Sequence, residues 1–241
     1  MPPDRESPHR TLPPPGNAPC GALLPQGIDA GAHGGIAQSQ ARLSPALRAV
    51  HQDLLRKFLA TGRGPRVGWV RRVIWRHGLA PGSAIRDLAQ ADLVHLNTGD
   101  ERVEIAHPLS GVPSLHQVRV HGGRSLSAKG AIEALGIPLM ANTAATILSA
   151  APGTRQQIRV VRQHDGSWSW EPGTTVVVLA TSECTGPIAG ACRHTTFHAT
   201  AELGERYLSA APRKQGRVLT QDQALALAQA EFGPLLVSSG N

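Results

Sequence analysis

From Ser44 onward the apolar positions of this chain fall at helical spacing. Leu47, Val50, Leu54, Leu55, Phe58 and Leu59 recur every three or four residues up to Gly62, the repeat that lines one face of an α-helix. Ser44 supplies an N-cap and Pro45 a first-turn proline, which gives the helix a defined start. Shorter helical patterns follow over Val67 to His77, closed by Gly78, and over Ser83 to Ala91 with Ile85 and Leu88 inward. Leu93-Val94-His95-Leu96, a turn at Asn97-Thr98-Gly99-Asp100, and Val103-Glu104-Ile105 then predict a small hairpin. Three helices and a two-stranded wing predict a winged-helix-like helical unit over residues 43–106.

Beyond His107 the period shortens. Gln117 to Val120 predicts a strand, Gly122-Gly123 a turn, and Ala128 to Leu135 a helix stopped by Gly136 and Pro138. Arg155 to Arg162 alternates as a half-exposed strand does, His164-Asp165-Gly166 turns the chain, and Thr174 to Ala180 is a continuous β-branched run that suits a buried strand. Thr195 to Ala199 predicts another strand. Helices over Ala201 to Ala210 and Gln221 to Phe232 close the chain, the second opened by a capping box at Thr220-x-x-Gln223. The fold class expected is α+β: the helical unit, then a mixed or antiparallel sheet domain with flanking helices over residues 107–241.

Residues 1–42 break both periods. They are rich in Pro, Gly, Ala and Ser and hold few large apolar groups, so they are expected to form a disordered leader dispensable for folding. The chain has 241 residues, 41% of them hydrophobic, enough for a substantial core. The net charge of +7 is largely arginine scattered through the first half, without base-reading companions, so DNA binding is expected to be weak and non-specific. Trp69 and Trp75 among the arginines of the second helix suit packing on a second domain at least as well. Three cysteines, Cys20, Cys184 and Cys192, show no regular spacing, which argues for free thiols in a reducing, cytoplasmic compartment. The longest apolar run, Ala131 to Ala151, is interrupted by Glu133, Gly136, Pro138 and Asn142, so no membrane span is expected.

Two segments carry the candidate chemistry. Gly190-Ala191-Cys192-Arg193-His194-Thr195 places a thiol just before a strand, and Ala128-Lys129-Gly130-Ala131-Ile132-Glu133 places a carboxylate in the first turns of an apolar helix. Together with the order of His107-Pro108-Leu109-Ser110-Gly111-Val112-Pro113-Ser114, the Thr174 to Ala180 strand and the closing Ala230-Glu231-Phe232-Gly233-Pro234-Leu235-Leu236, they make the chain from about Leu47 to Leu236 resemble the organomercurial (alkylmercury) lyases. The resemblance implies protonolysis of a carbon–mercury bond. Thiolates hold the soft metal and a carboxylic acid protonates the leaving carbon. It places the second catalytic cysteine at Cys192 and the catalytic acid at Glu133, one methylene longer than the family's aspartate. The first catalytic cysteine corresponds to Gly130, so a key thiol is missing; a further family cysteine near Ser149-Ala150-Ala151 is also absent. Mercury enters as substrate and product, and no cofactor is expected.

The residues themselves leave alternatives open. Cys192 suits a metal-binding thiolate or a small buried core residue, and Cys184, across a turn-rich loop, suits a second soft-metal ligand or a loop thiol. Glu133 suits a proton donor or a first-turn carboxylate that complements the helix macrodipole. His107, His116, His194 and His198 match no zinc-site spacing, so a dedicated zinc site is not expected. Three functions follow: a lyase-like protein acting on a small organomercurial, a non-catalytic binder of a soft metal or small ligand, and a winged-helix DNA-binding regulator. The sequence leaves the oligomeric state open.

Overall fold

The computed structural model describes residues 35–97, 101–182, 195–210 and 214–237. It opens with four helices: α1 (Ile36–Ala41), α2 (Pro45–Thr61), α3 (Val67–Arg76) and α4 (Pro81–Gln90). The Ser44 hydroxyl accepts the Leu47 N–H at 3.3 Å, and Gly62 ends α2 with a positive φ of 68°, the C-cap conformation glycine takes without strain. The apolar stripe read from the sequence is the buried face of α2, from Leu47 to Phe58.

α1 corrects the expected extent of the leader. Ile36 is 1% exposed, and its N–H donates to Glu231 Oε2 at 2.7 Å. Gln40 Nε2 lies 2.8 Å from His51 Nδ1 and donates to the Leu235 carbonyl at 3.1 Å. The partners of this short segment lie as far as 195 residues away, so local composition carried no sign of them. Residues 1–34, with Cys20, lie outside the described residues.

The tryptophans of α3 part ways. Trp69 is partly buried against the core, with Lys57 Nζ 5.8 Å from its ring centre. Trp75 is 75% exposed, which corrects the expectation that both serve packing. Val70, Val73 and Ile74 are the inward positions of the helix, and one further step of about 100° swings residue 75 off that face.

After α4, β1 (Val94–Asn97) pairs antiparallel with β2 (Arg102–Ala106). β2 then pairs with β3 (Leu109–Ser110), and the sheet continues through β4 (His116–Val120), β5 (Ser125–Ala128), β6 (Ala145–Ala150), β7 (Gln157–Arg162) and β8 (Trp168–Glu171). The spatial order is β1-β2-β3-β5-β4-β6-β7-β8, and each pairing is antiparallel. The expected wing is therefore one edge of an eight-stranded sheet. One apolar cluster runs from Ile36 on α1 through both halves of the chain to Leu235.

Between β5 and β6 runs α5 (Ala131–Met140), longer than the sequence suggested. Its nine buried residues include Gly136 and Pro138, neither of which ends it. A Cβ on Gly136 would stand 2.2 Å from the Phe232 ring, so this glycine serves the close approach of another helix rather than a stop. The remaining elements form a small second sheet: β9 (Val176–Ser182) lies between β10 (Thr196–His198) and β11 (Lys214–Leu219), with α6 (Ala201–Ser209) and α7 (Gln221–Phe232) beside it. The Thr220–Gln223 capping box forms at the start of α7 as expected. α5 is apolar on all sides because it packs on α7, on β4, β5 and β6 of the large sheet, and on β10 of the small one.

Candidate functional site

The start of α5 is where the two sheets meet. Gly130 is the N-cap residue, in extended conformation at φ −145° and ψ 178°. It therefore precedes the helix, which starts at Ala131 rather than at the expected Ala128. The Ala131 N–H donates to the Thr195 carbonyl at 3.0 Å, joining the helix start to the chain entering β10. Glu133, in the first turn, is fully buried. Its Oε2 accepts a long hydrogen bond of 3.4 Å from the Thr195 hydroxyl, and its Oε1 has no hydrogen-bond partner among the described residues.

Two histidines flank this carboxyl group. His116, on β4, places Nδ1 2.8 Å from the Ser149 hydroxyl on β6, and its ring meets Phe197 edge-on at 5.7 Å between centres. Phe197 in turn meets Trp170 at 6.0 Å, so aromatic rings wall one side. His107 follows β2 and is 1% exposed. Burial lowers both histidines to about 4, although the Glu133 charge pulls each the other way. At neutral pH both rings are uncharged, so neither is a cationic partner for the Glu133 carboxyl group. Farther along α7, burial raises Glu231 to about 7 against the opposing hydrogen bond from Ile36 N–H, with the Glu133 charge adding to the rise.

Of the four residues named from sequence, Gly130 and Glu133 are thus neighbours at one helix start. Cys184 and Cys192 lie outside the described residues. Thr195, three residues after Cys192 in the sequence, lies against Glu133. Sequence reasoning did not find the parts played by Thr195, His116 and Ser149. His116 and Ser149 sit at inward positions of strands, β6 itself being unforeseen, and only the register that places β4 beside β6 brings them together. The Ser149 hydroxyl faces His116 in the wall of the same site.

The fold is an antiparallel α+β scaffold whose central buried helix presents a carboxyl group next to a strand preceded by a thiol. The alkylmercury lyase family model matches residues 109–233, just over half of the chain. The chain belongs to the alkylmercury lyase family. Among solved structures, the mercury-bound form of MerB2 superposes with a TM-score of 0.67 at 20% identity, covering 85% of this chain and 98% of that one, which establishes a shared fold. A comparison with curated protein sequences gives no match. None of the helices among the described residues is long and apolar enough to cross a membrane.

Proposed function

We propose that this protein binds small organomercurials at the α5 start and cleaves their carbon–mercury bond slowly, with Cys192 as the metal-binding thiol and Glu133 as the proton donor. The observation that carries the reading is Glu133: a fully buried carboxyl group, one oxygen without a hydrogen-bond partner among the described residues, held against Thr195 only three residues from Cys192. A structural first-turn carboxylate would gain as much from the macrodipole while exposed to water, and burying one of its oxygens without a hydrogen bond is costly. That the similarly folded MerB2 has been solved in a mercury-bound form supports a soft metal as the ligand.

The chemistry balances with one thiol. As the Cys192 sulfur bonds to mercury, its proton passes to Glu133. Glu133 then delivers that proton to the carbon, whose bonding pair to mercury becomes the new C–H bond. The hydrocarbon leaves and mercury(II) stays on sulfur. Gly130, where the family carries a second thiol, cannot add the sulfur ligand that would weaken the carbon–mercury bond further, and this absence sets the slow rate. Headspace chromatography of benzene released from phenylmercury tests the reading. Slow turnover abolished by Glu133→Gln, with mercury(II) binding retained, is the expected result; turnover unchanged in both Glu133→Gln and Cys192→Ser contradicts it.

A further inference from the structure

Asp92, His95 and His107 lie apart in sequence and belong to no metal-site motif, yet the fold gathers them. Asp92 follows α4 in a left-handed conformation with φ 58°, its N–H donating to the Ala89 carbonyl at 3.0 Å. His95 is on β1, and its Nε2 lies 2.6 Å from Asp92 Oδ1. The His107 N–H donates to the Leu93 carbonyl at 3.2 Å, which fixes His107 beside the residue that follows Asp92. One ligand atom from each side chain lies within 4.8 Å of the other two. The His95 and His107 rings stand edge to face, 6.1 Å between centres.

What points to a ligand is the unmet bonding capacity. His107 is 1% exposed, and its Nε2 has no hydrogen-bond partner among the described residues. Asp92 is 9% exposed, and its Oδ2 is likewise buried without one. Buried nitrogen and oxygen atoms left unpaired cost free energy, and two in one cluster are unusual. One cation coordinated by both side chains removes both costs at once.

We propose that Asp92, His95 and His107 bind one divalent cation of the zinc class, through donors unlike the thiol assigned to mercury at Cys192. Two imidazole nitrogens and a carboxylate oxygen are borderline to hard donors. They suit zinc, cobalt or nickel, while mercury(II) prefers thiolates. Donor atoms about 2.1 Å from a tetrahedral ion lie about 3.4 Å from one another, so the 2.6 Å contact between His95 Nε2 and Asp92 Oδ1 would open to admit the ion. The ion would tie the end of α4 and β1 to the segment after β2, joining the helical unit to the large sheet. Water would complete the fourth position.

The test uses the full chain without a polyhistidine tag, titrated with cobalt(II) and followed by absorbance, with zinc competition and elemental analysis of the dialysed protein. One equivalent of cobalt is expected, with tetrahedral ligand-field bands and no sulfur-to-cobalt charge-transfer band. It should persist when Cys20, Cys184 and Cys192 are all changed to serine. His107→Gln should weaken binding at least tenfold. His95→Gln, at a partly exposed position, should do the same, and zinc should raise the melting temperature of the native chain but not of this variant. Absence of cobalt uptake overturns the proposal. So does uptake with a charge-transfer band that is lost in the cysteine variant and unaffected by His95→Gln.

Discussion

Gly130 and Gly136, six residues apart, stand at the start and in the middle of the same helix for different reasons. Gly130 is extended, a conformation open to any residue, so a cysteine there meets no backbone penalty. Its sulfur would sit at the positive end of α5, which favours the thiolate. Gly136 is held by contact. Alanine there would meet the Phe232 ring, and Gly136→Ala is expected to cost about 1–3 kcal/mol despite alanine's better helix propensity. A chemical-denaturation midpoint unchanged or raised in this variant would contradict the packing described. Sequence patterning could not separate these cases, because a glycine followed two residues later by proline is the ordinary mark of a helix end. Only the partner helix, nearly one hundred residues downstream, explains why α5 continues.

At the scale of elements, strongly periodic or capped segments were legible and those defined by distant partners were not. α2 with its Ser44 cap, the β-branched strand β9 and the boxed start of α7 follow local rules. β3, β5 and β8 were missed because they are only two to four residues long, and β6 and β11 because Ser, Thr, Gly and Lys in them mask the alternation. α1 is the clearest case, and it changes an expectation about truncation. A chain starting at Leu43 loses Ile36 from the core, leaves Glu231 buried without its N–H donor and strips Gln40 from His51. The expected loss is about 3 kcal/mol or more. A chain starting near residue 30 keeps those contacts, and comparing the two melting temperatures checks the point. Equal values would show that α1 adds nothing.

For the whole molecule, buried histidines set the response to acid. Burial lowers His51 to about 3 and His116 to about 4, from an ordinary value of 6.5. Unfolded chains take up these protons as pH falls below about 6.5, whereas the folded protein resists until about 3 to 4. The stabilisation is therefore complete above 6.5 and is lost between those limits, on the order of 3 kcal/mol or more for each group. Glu231 acts in the opposite sense: raised to about 7 from 4.5, it contributes below 4.5 and loses that contribution as pH rises towards 7. With His107 and His198 also lowered to about 4 by burial, the histidines outweigh one glutamate, so the denaturation midpoint should fall as pH is lowered from 6.5 to 4, and less steeply in His51→Gln. A midpoint that rises over this range would contradict the burial described.

The candidate site was legible from sequence as far as Gly130 and Glu133 at one helix start. Its walls, from His116 and Ser149 to Phe197, depend on strand register across both sheets and carry no local signature. The most direct measurement of the central claim is hydrocarbon release from phenylmercury by the native chain, Gly130→Cys, and Gly130→Cys combined with Glu133→Gln. Slow release by the native chain, at least a tenfold gain from Gly130→Cys, and loss of that gain when Glu133 becomes an amide that cannot give up a proton are expected. A folded Gly130→Cys variant with no gain, or a gain that survives Glu133→Gln, would contradict it.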